Sequence, residues 1–183
     1  MIAAFSTSSP WTSVSVMRET GEVVWSDQRH APGKSSGACM EMLEASGVPL
    51  EEVRVFAADV GPGSFTGVRV GVVLAKTLAW CFGVRCAGAD AFDLIDPSEL
   101  VALPSKKGEY FLREPGSAPE RTEVLPEGVL GYGFEGGSCP PHSERFSKLL
   151  SGLVTVAPMQ FIPAYLIEPS ISQAKKPLSR ITG

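Results

Sequence analysis

The sequence predicts an α/β fold built on a mixed sheet, followed by a reduced second lobe. Three observations predict it. Short apolar runs and period-two alternation mark strands at the N-terminus. From Val53 to Phe82 a strand runs through a glycine-studded turn into a long apolar helix, a β-α unit of the kind that lays parallel strands side by side. Beyond Pro97 the chain dissolves into short strands and turn-forming stretches. The two lobes are therefore expected at residues 1–97 and 98–183.

Taken in order, Ile2 to Thr7 reads as a buried strand. Thr12 to Arg18 alternates Val14 and Val16 with Ser13 and Ser15, the pattern of a half-buried strand, and after a turn at Glu19–Glu22 the run Val23 to Gln28 returns antiparallel. Pro32-Gly-Lys34 breaks the chain. Ser35 or Ser36 then caps a short helix that stops at Gly47, a good C′ residue. Pro49 to Val53 is a helical turn, Arg54 to Val60 the central strand, Val68 to Phe82 the long helix and Val84 to Ala87 another buried strand. Ala91 to Ile95 begins a helix that Asp96-Pro97 cuts off, because proline restricts the residue before it. In the second half, Glu109 to Leu112 and Gly128 to Gly133 are strands, Glu114 to Glu120 is a loop, and His142 to Leu150 is a short amphipathic helix. The polar tail Lys175 to Gly183 is expected to fray.

The glycines of Gly61-Pro-Gly-Ser-Phe-Thr-Gly67 serve the backbone, since glycine weakens helices and strands wherever its freedom is not needed. Gly67, Gly71, Ala75 and Ala79 continue at every fourth residue as one stripe of minimal side chains, with Arg69 and Lys76 on the opposite side. Something packs closely against that stripe: a second helix from this chain or from a partner, or the chain's own sheet.

Composition narrows the function. A formal charge of −4 and a pI near 5.3 lack the basic excess with which nucleic-acid binders displace counterions, so any RNA is gripped mainly by a partner. Cys39, Cys81, Cys86 and Cys139 form no C-x-x-C pair, and His30 and His142 complete no zinc spacing. Reduced thiols, no signal-like opening and no apolar run of membrane-spanning length lead to a cytoplasmic expectation.

Chemistry is sparse. The turn at Gly61, Gly63, Ser64 and Thr66 is a candidate phosphate site at a helix start, yet it fits neither the P-loop nor the G-x-G-x-x-G spacing; Ser64 or Thr66 as a plain N-cap is the alternative. Asp59, at the end of the central strand, suits a hydrogen-bonding role in that loop, because no second carboxylate lies at metal-binding spacing. No histidine is tied by motif to Ser64, so no nucleophile and base pair off, and neither a catalytic residue nor a metal ligand is expected.

These residues carry a resemblance. Ala4-Phe-Ser-Thr-Ser-Ser9, Glu44 to Val53 and above all Gly61-Pro-Gly-Ser-Phe-Thr-Gly-Val-Arg-Val-Gly71 with Ala75-Lys76 resemble the TsaB (YeaZ) family over the first half of the chain. Lys107-Gly-Glu-Tyr110, Gly131-Tyr-Gly133 and Pro163-Ala-Tyr-Leu166 match it in places over a compressed second half. The resemblance implies the actin, sugar-kinase and heat-shock-ATPase fold, ribonuclease H-like, in a protein that is not itself the catalyst. Its expected role is to bind and activate a TsaD-like enzyme that forms threonylcarbamoyladenosine at tRNA position 37, with a TsaE-like ATPase joining, tRNA met only through the complex, a homodimer when alone and no membrane contact.

By the same resemblance the partner contact uses the segments Ser36 to Ser46 and Gly67 to Phe82, with Ala38, Met42, Gly67, Gly71, Ala75 and Ala79 as interface residues. No cofactor is assigned, ATP or ADP with Mg at the interface of the complex being the candidate. Two departures stand out: Ser6 replaces the usual Asp of an Asp-Thr-Ser run, and Tyr132 stands where an acid is common. Both remove negative charge that would hold hydrated magnesium. The alternative is an ATP-binding enzyme of the same fold, a phosphoryl or carbamoyl transferase or a glycoprotease-like hydrolase.

Overall fold

The first three strands form the expected meander. β1 (Ile2–Ser6), β2 (Trp11–Met17) and β3 (Val23–His30) pair antiparallel in sequence, followed by α1 (Ser35–Ala45), β4 (Val55–Asp59), α2 (Phe65–Phe82) and β5 (Arg85–Ala89). The computed structural model describes residues 1–164. Tyr165 and Leu166 of the closing Pro-x-Tyr-Leu run, and the tail from Lys175, lie outside the described residues.

β4 pairs parallel with both β1 and β5, as a crossover through α2 requires, so β1 and β4 are central and buried on both faces. α1 and α2 cover one face over Phe5, Val14, Val16, Met42, Phe56, Val68 and Val72. On the other face Ile2, Ala4, Met17, Ala57, Leu94 and Phe146 form a second core.

After the turn at 90–95 come β6 (Val101–Pro104), β7 (Tyr110–Arg113), β8 (Glu120–Thr122) and β9 (Leu130–Gly131), a separate sheet in the order β8-β7-β6-β9. Phe92, Ile95, Val101, Leu103, Phe111 and Tyr132 make its core. The chain then returns through α3 (Phe146–Leu149) to β10 (Thr155–Val156), which pairs with β5. The first sheet therefore has six strands, ordered β10-β5-β4-β1-β2-β3, and includes a strand from the second half of the sequence.

Several local expectations change. β2 is buried on both faces, because the segment after Pro141 covers its serine side: the Ser143 N–H donates to Ser13 Oγ (2.9 Å), and the Ser143 and Ser15 hydroxyls pair at 2.7 Å. α1 starts at Lys34 without a side-chain cap, since Ser35 Oγ accepts from Thr12 Oγ1 (3.0 Å) instead, while its C-terminus does run out at Gly47 in the left-handed region (φ 65°). Ala91 to Ile95 is a hydrogen-bonded turn, and His142 to Leu150 is one helical turn flanked by 3₁₀ turns at Ser143–Arg145 and Leu150–Gly152. Both stretches are too short to repay helix nucleation.

α2 is 18 residues long with mean hydropathy 1.4, long and apolar enough by composition to cross a membrane, contrary to the reading of the sequence. One flank of it is buried, at Gly67, Val68, Gly71, Val72, Ala75 and Ala79.

Candidate functional site

β1 and β4 end side by side, and their ends carry Ser6 and Asp59. The Asp59 carboxylate is fully buried: Oδ2 accepts from Ser6 Oγ (2.9 Å) and from Ser8 Oγ, and Oδ1 accepts from the Gly61 N–H (2.8 Å). Burial nonetheless pushes its pKa up, against these donors. Ser6 Oγ also lies 3.2 Å from the Pro141 carbonyl, so its one hydroxyl proton is shared between two acceptors.

The second sheet closes over this cluster. Tyr132 donates its hydroxyl to the Ser8 carbonyl (3.2 Å), and burial together with the nearby Asp59 pushes the phenol up. At the base, Arg113 pairs with Asp90 (3.1 Å) and Asp93 (2.8 Å) and stacks on Phe92 at 4.8 Å, tying β7 to the turn that leaves β5. The crevice between the sheets is thus bridged by direct hydrogen bonds.

The glycine loop is buried at its two ends, at Gly61, Pro62 and Gly67, and exposed between them. Gly61 N–H goes to Asp59, Ser64 N–H to the Ser8 carbonyl (2.7 Å), and Ser64 Oγ takes the Gly67 N–H (3.2 Å) as the N-cap of α2. The Gly61, Ser64 and Gly67 N–H groups are thus occupied by protein acceptors, and Asp59 lies behind the loop. Of the four residues expected to hold a phosphate, Gly61 and Ser64 have their N–H groups engaged in this way, while Gly63 and Thr66 lie exposed on the same loop. Among the described residues no group of three or more His, Cys, Asp or Glu is placed to hold a metal ion.

The small-residue stripe is also explained from within. A Cβ at Gly63 would stand 2.5 Å from the Ser8 carbonyl oxygen, one at Gly67 2.0 Å from the Thr7 carbonyl oxygen, and one at Gly71 2.5 Å from Thr7 Oγ1. Ala75 and Ala79 are fully buried in the same seam, and Met42 fills the core between α1 and the sheet. Gly67, Gly71, Ala75, Ala79 and Met42 are thus sealed inside the subunit, which corrects the expectation that a foreign helix lies on them; Ala38 is half-buried at the edge of that core. Periodicity fixes which residues share a flank but says nothing of what the flank meets.

The side of α2 that faces outward carries other residues. Trp80 (66 % exposed), Val73 (58 %) and Phe65 (46 %) project from it, with Arg69 over the Phe65 ring at 5.2 Å. Sequence reasoning passed over Phe65, Val73 and Trp80, although they share the side opposite the stripe with Arg69 and Lys76. Tyr132 and Ser8 were equally unmarked as a pair, because 124 residues separate them.

A family model described as "TsaD: tRNA N6-adenosine threonylcarbamoyltransferase" matches residues 29–93, the stretch that holds α1, β4, α2 and β5. Among curated proteins, the Bacillus subtilis tRNA threonylcarbamoyladenosine biosynthesis protein TsaB is 27 % identical over 97 residues, 51 % of this chain and 42 % of that protein. Its Haemophilus influenzae counterpart is 40 % identical over 74 residues, 40 % of this chain and 28 % of that protein. Over these segments the chain is similar to TsaB proteins. Its matched segments span less than half the length of these TsaB relatives.

Solved structures extend the likeness in fold across both sheets. YeaZ from Pseudomonas aeruginosa superposes with a TM-score of 0.74 at 21 % identity, covering 90 % of this chain and 99 % of that one. A structure described as an uncharacterized protein with similarity to peptidase YeaZ from Pseudomonas aeruginosa superposes at 0.77 with 19 % identity, covering 91 % and 99 %. The fold is the actin-like, ribonuclease H-like α/β fold of TsaB/YeaZ proteins.

Proposed function

We propose that this chain is a non-catalytic partner subunit in the formation of threonylcarbamoyladenosine at tRNA position 37, acting in the cytoplasm by docking onto a TsaD-like enzyme. The observation that carries the reading is the outer face of α2, where Trp80, Val73 and Phe65 stand in solvent on one flank of an 18-residue helix. Large apolar side chains clustered on one exposed face mark contact surfaces, and aromatic residues are the usual anchors there.

The TsaD description matches the segment that holds α1 and α2, so a TsaD-like enzyme carries the counterparts of these helices and offers a similar face in return. Two related lobes then pair helix against helix about a pseudo-twofold axis, and a second copy of this chain takes the same position when the enzyme is absent. The bridged crevice supports a helper role, because Asp59 and Ser8 are engaged in holding the sheets together. With a net charge of −4 the chain leaves the grip on tRNA to the assembly, which a TsaE-like ATPase joins.

The test is association with the TsaD-like enzyme of the same organism, followed by size-exclusion chromatography with light scattering. Wild type is expected to form a stable complex, and Trp80→Glu and Val73→Glu each to weaken it by about tenfold or more while far-UV circular dichroism stays unchanged. Undiminished binding by both variants would remove the docking face, and a wild-type chain that never associates would remove the function.

A further inference from the structure

We propose that the segment 138–145 is a pH-operated strap, latched onto β2 by the neutral ring of His142 and released when that ring takes up a proton. It lies on the sheet face opposite α1 and α2, so it is independent of the docking reading.

The seat of the strap is polar. The Ser143 N–H donates to Ser13 Oγ (2.9 Å), the Ser143 and Ser15 hydroxyls pair at 2.7 Å, the Pro141 carbonyl accepts from Ser6 Oγ (3.2 Å), and the His142 N–H donates to the Leu94 carbonyl (3.0 Å). Between Ser138 and Arg145 only Pro141 and Ser143 are buried, and the first large apolar anchor is Phe146. Hydrogen bonds that can be exchanged for bonds to water contribute little net free energy each, so such a seat separates more easily than an apolar one. The closed strap also leaves space unfilled. A cavity of ≈ 450 Å³ lies between it and β3, and there Gln28 Nε2 is buried without a hydrogen-bond partner among the described residues, a donor that water reaches once the strap lifts.

The latch is the ring of His142. Its backbone is extended, as at a helix cap, and its Nδ1 accepts the Glu144 N–H (3.1 Å) at the start of the Ser143–Arg145 turn. Only an unprotonated nitrogen accepts, so the ring is neutral and carries its proton on Nε2; the imidazolium has N–H on both nitrogens and sets a donor against a donor. The turn that presents Ser143 to Ser13 and Ser15 then loses its cap. Partial burial disfavours the imidazolium and holds the pKa below the ordinary 6.5. An open strap returns the ring to water and binds the proton more tightly. The closed state is therefore undiminished above pH 6.5, weakens as pH falls below it and levels off below the folded pKa.

The charges around the ring act in both directions: Glu144 favours the imidazolium and Arg145 opposes it. Asp96 stands 3.6 Å from Arg145, Lys148 lines the same cavity, and Cys139, its pKa raised by burial, stays a neutral thiol. Gln28 and Leu94, which line the cavity from β3 and the turn at 90–95, carry no charge.

The experiment is hydrogen exchange of the ¹⁵N-labelled chain from about pH 7.5 to about pH 5, expressed as protection factors. In wild type the His142 and Ser143 amides are expected to be less protected than those of β1 and β4, and to lose about five- to tenfold of their protection on acidification, the usual value of a helix cap. His142→Asn, whose side chain caps at every pH, is expected to hold protection constant, and His142→Ala to show low protection throughout. Asp59 acts with the opposite sign, its contribution being lost as pH rises, and moves the β1 and β4 amides as well. His30, at the far end of β3, is retained in both variants. Protection at His142 and Ser143 equal to that of β1 and β4, no fall with acidification in wild type, an equal fall in His142→Asn, or wild-type protection at pH 7.5 in His142→Ala would each overturn the proposal.

Discussion

The Tyr132 hydroxyl donates to the Ser8 carbonyl across 3.2 Å, joining the end of the second sheet to the loop that follows the first strand. Ser8 in turn holds Asp59 through its own hydroxyl and receives the Ser64 N–H at its carbonyl, so one residue links the acid, the glycine loop and the second lobe. Removing the phenol tests that link. Tyr132→Phe keeps the ring in its core and leaves the Ser8 carbonyl with its Ser64 donor, so unfolding by urea should show a loss of only about 0.5–1.5 kcal/mol, the net value of one hydrogen bond. An unchanged midpoint would mean that the bond contributes nothing.

Asp59 makes stability depend on pH. Its folded pKa is raised above the ordinary 3.8, so between 3.8 and the folded value the native state binds more protons than the unfolded chain. Its stabilising contribution is complete below 3.8 and falls as pH rises through the folded pKa. Asp59→Asn, which cannot ionise, should lose that slope. Urea unfolding of both proteins from acid to neutral pH should show wild type losing stability relative to the variant as pH rises; a constant difference would refute a raised pKa.

The glycines should divide by what their missing side chains would meet. Gly67→Ala places a methyl against the Thr7 carbonyl, which cannot move without β1, and is expected to cost about 3 kcal/mol or more. Gly71→Ala meets only Thr7 Oγ1, the end of a side chain that can rotate at the expense of its bond to the Gly67 carbonyl, and should cost less. Gly37→Ala in α1 meets nothing within 4 Å and should stabilise by about 0.5–1 kcal/mol. Thermal unfolding of the three variants checks the order.

Arg113 holds Asp90 and Asp93 together. Arg113→Met leaves two neighbouring carboxylates facing each other, partly exposed, and should destabilise by about 2 kcal/mol. Burial already raises the Asp90 pKa and Arg113 opposes that rise, so the variant should move Asp90 further up, as carboxyl-detected NMR titration would show. An Asp90 that titrates identically in both proteins would contradict the pairing.

The thiols should separate under Ellman's reagent. Cys81 is exposed on α2 and should react fast, and the half-buried Cys139, its pKa raised by burial, more slowly. Cys39, pushed up to about 12, and Cys86, pushed up to about 11, should react only after unfolding. Four equally fast thiols in the native protein would be inconsistent with this packing.

Much of the fold follows from short-range pattern. The meander, the strand-loop-helix from Val55 to Phe82, the Ser64 cap and the stop at Gly47 can be read in the sequence, because alternation, glycine placement and capping act over a few residues. Val101 to Pro104 and Thr155–Val156 escaped notice: strands this short carry almost no period, and they form because a partner pairs with them, β7 across a hairpin for the first and the distant β5 for the second.

Spacing along the chain puts Gly67, Gly71, Ala75 and Ala79 on one flank of a helix and Asp59 near the end of a strand. That this flank meets Thr7, that Ser6, Ser8 and Gly61 enclose Asp59, and that Trp80 and Val73 face water are set by contacts between distant segments. The reason is physical. Helix periodicity fixes directions relative to the helix axis, whereas burial depends on which surface arrives against each direction, and that surface is built from strands dozens of residues away.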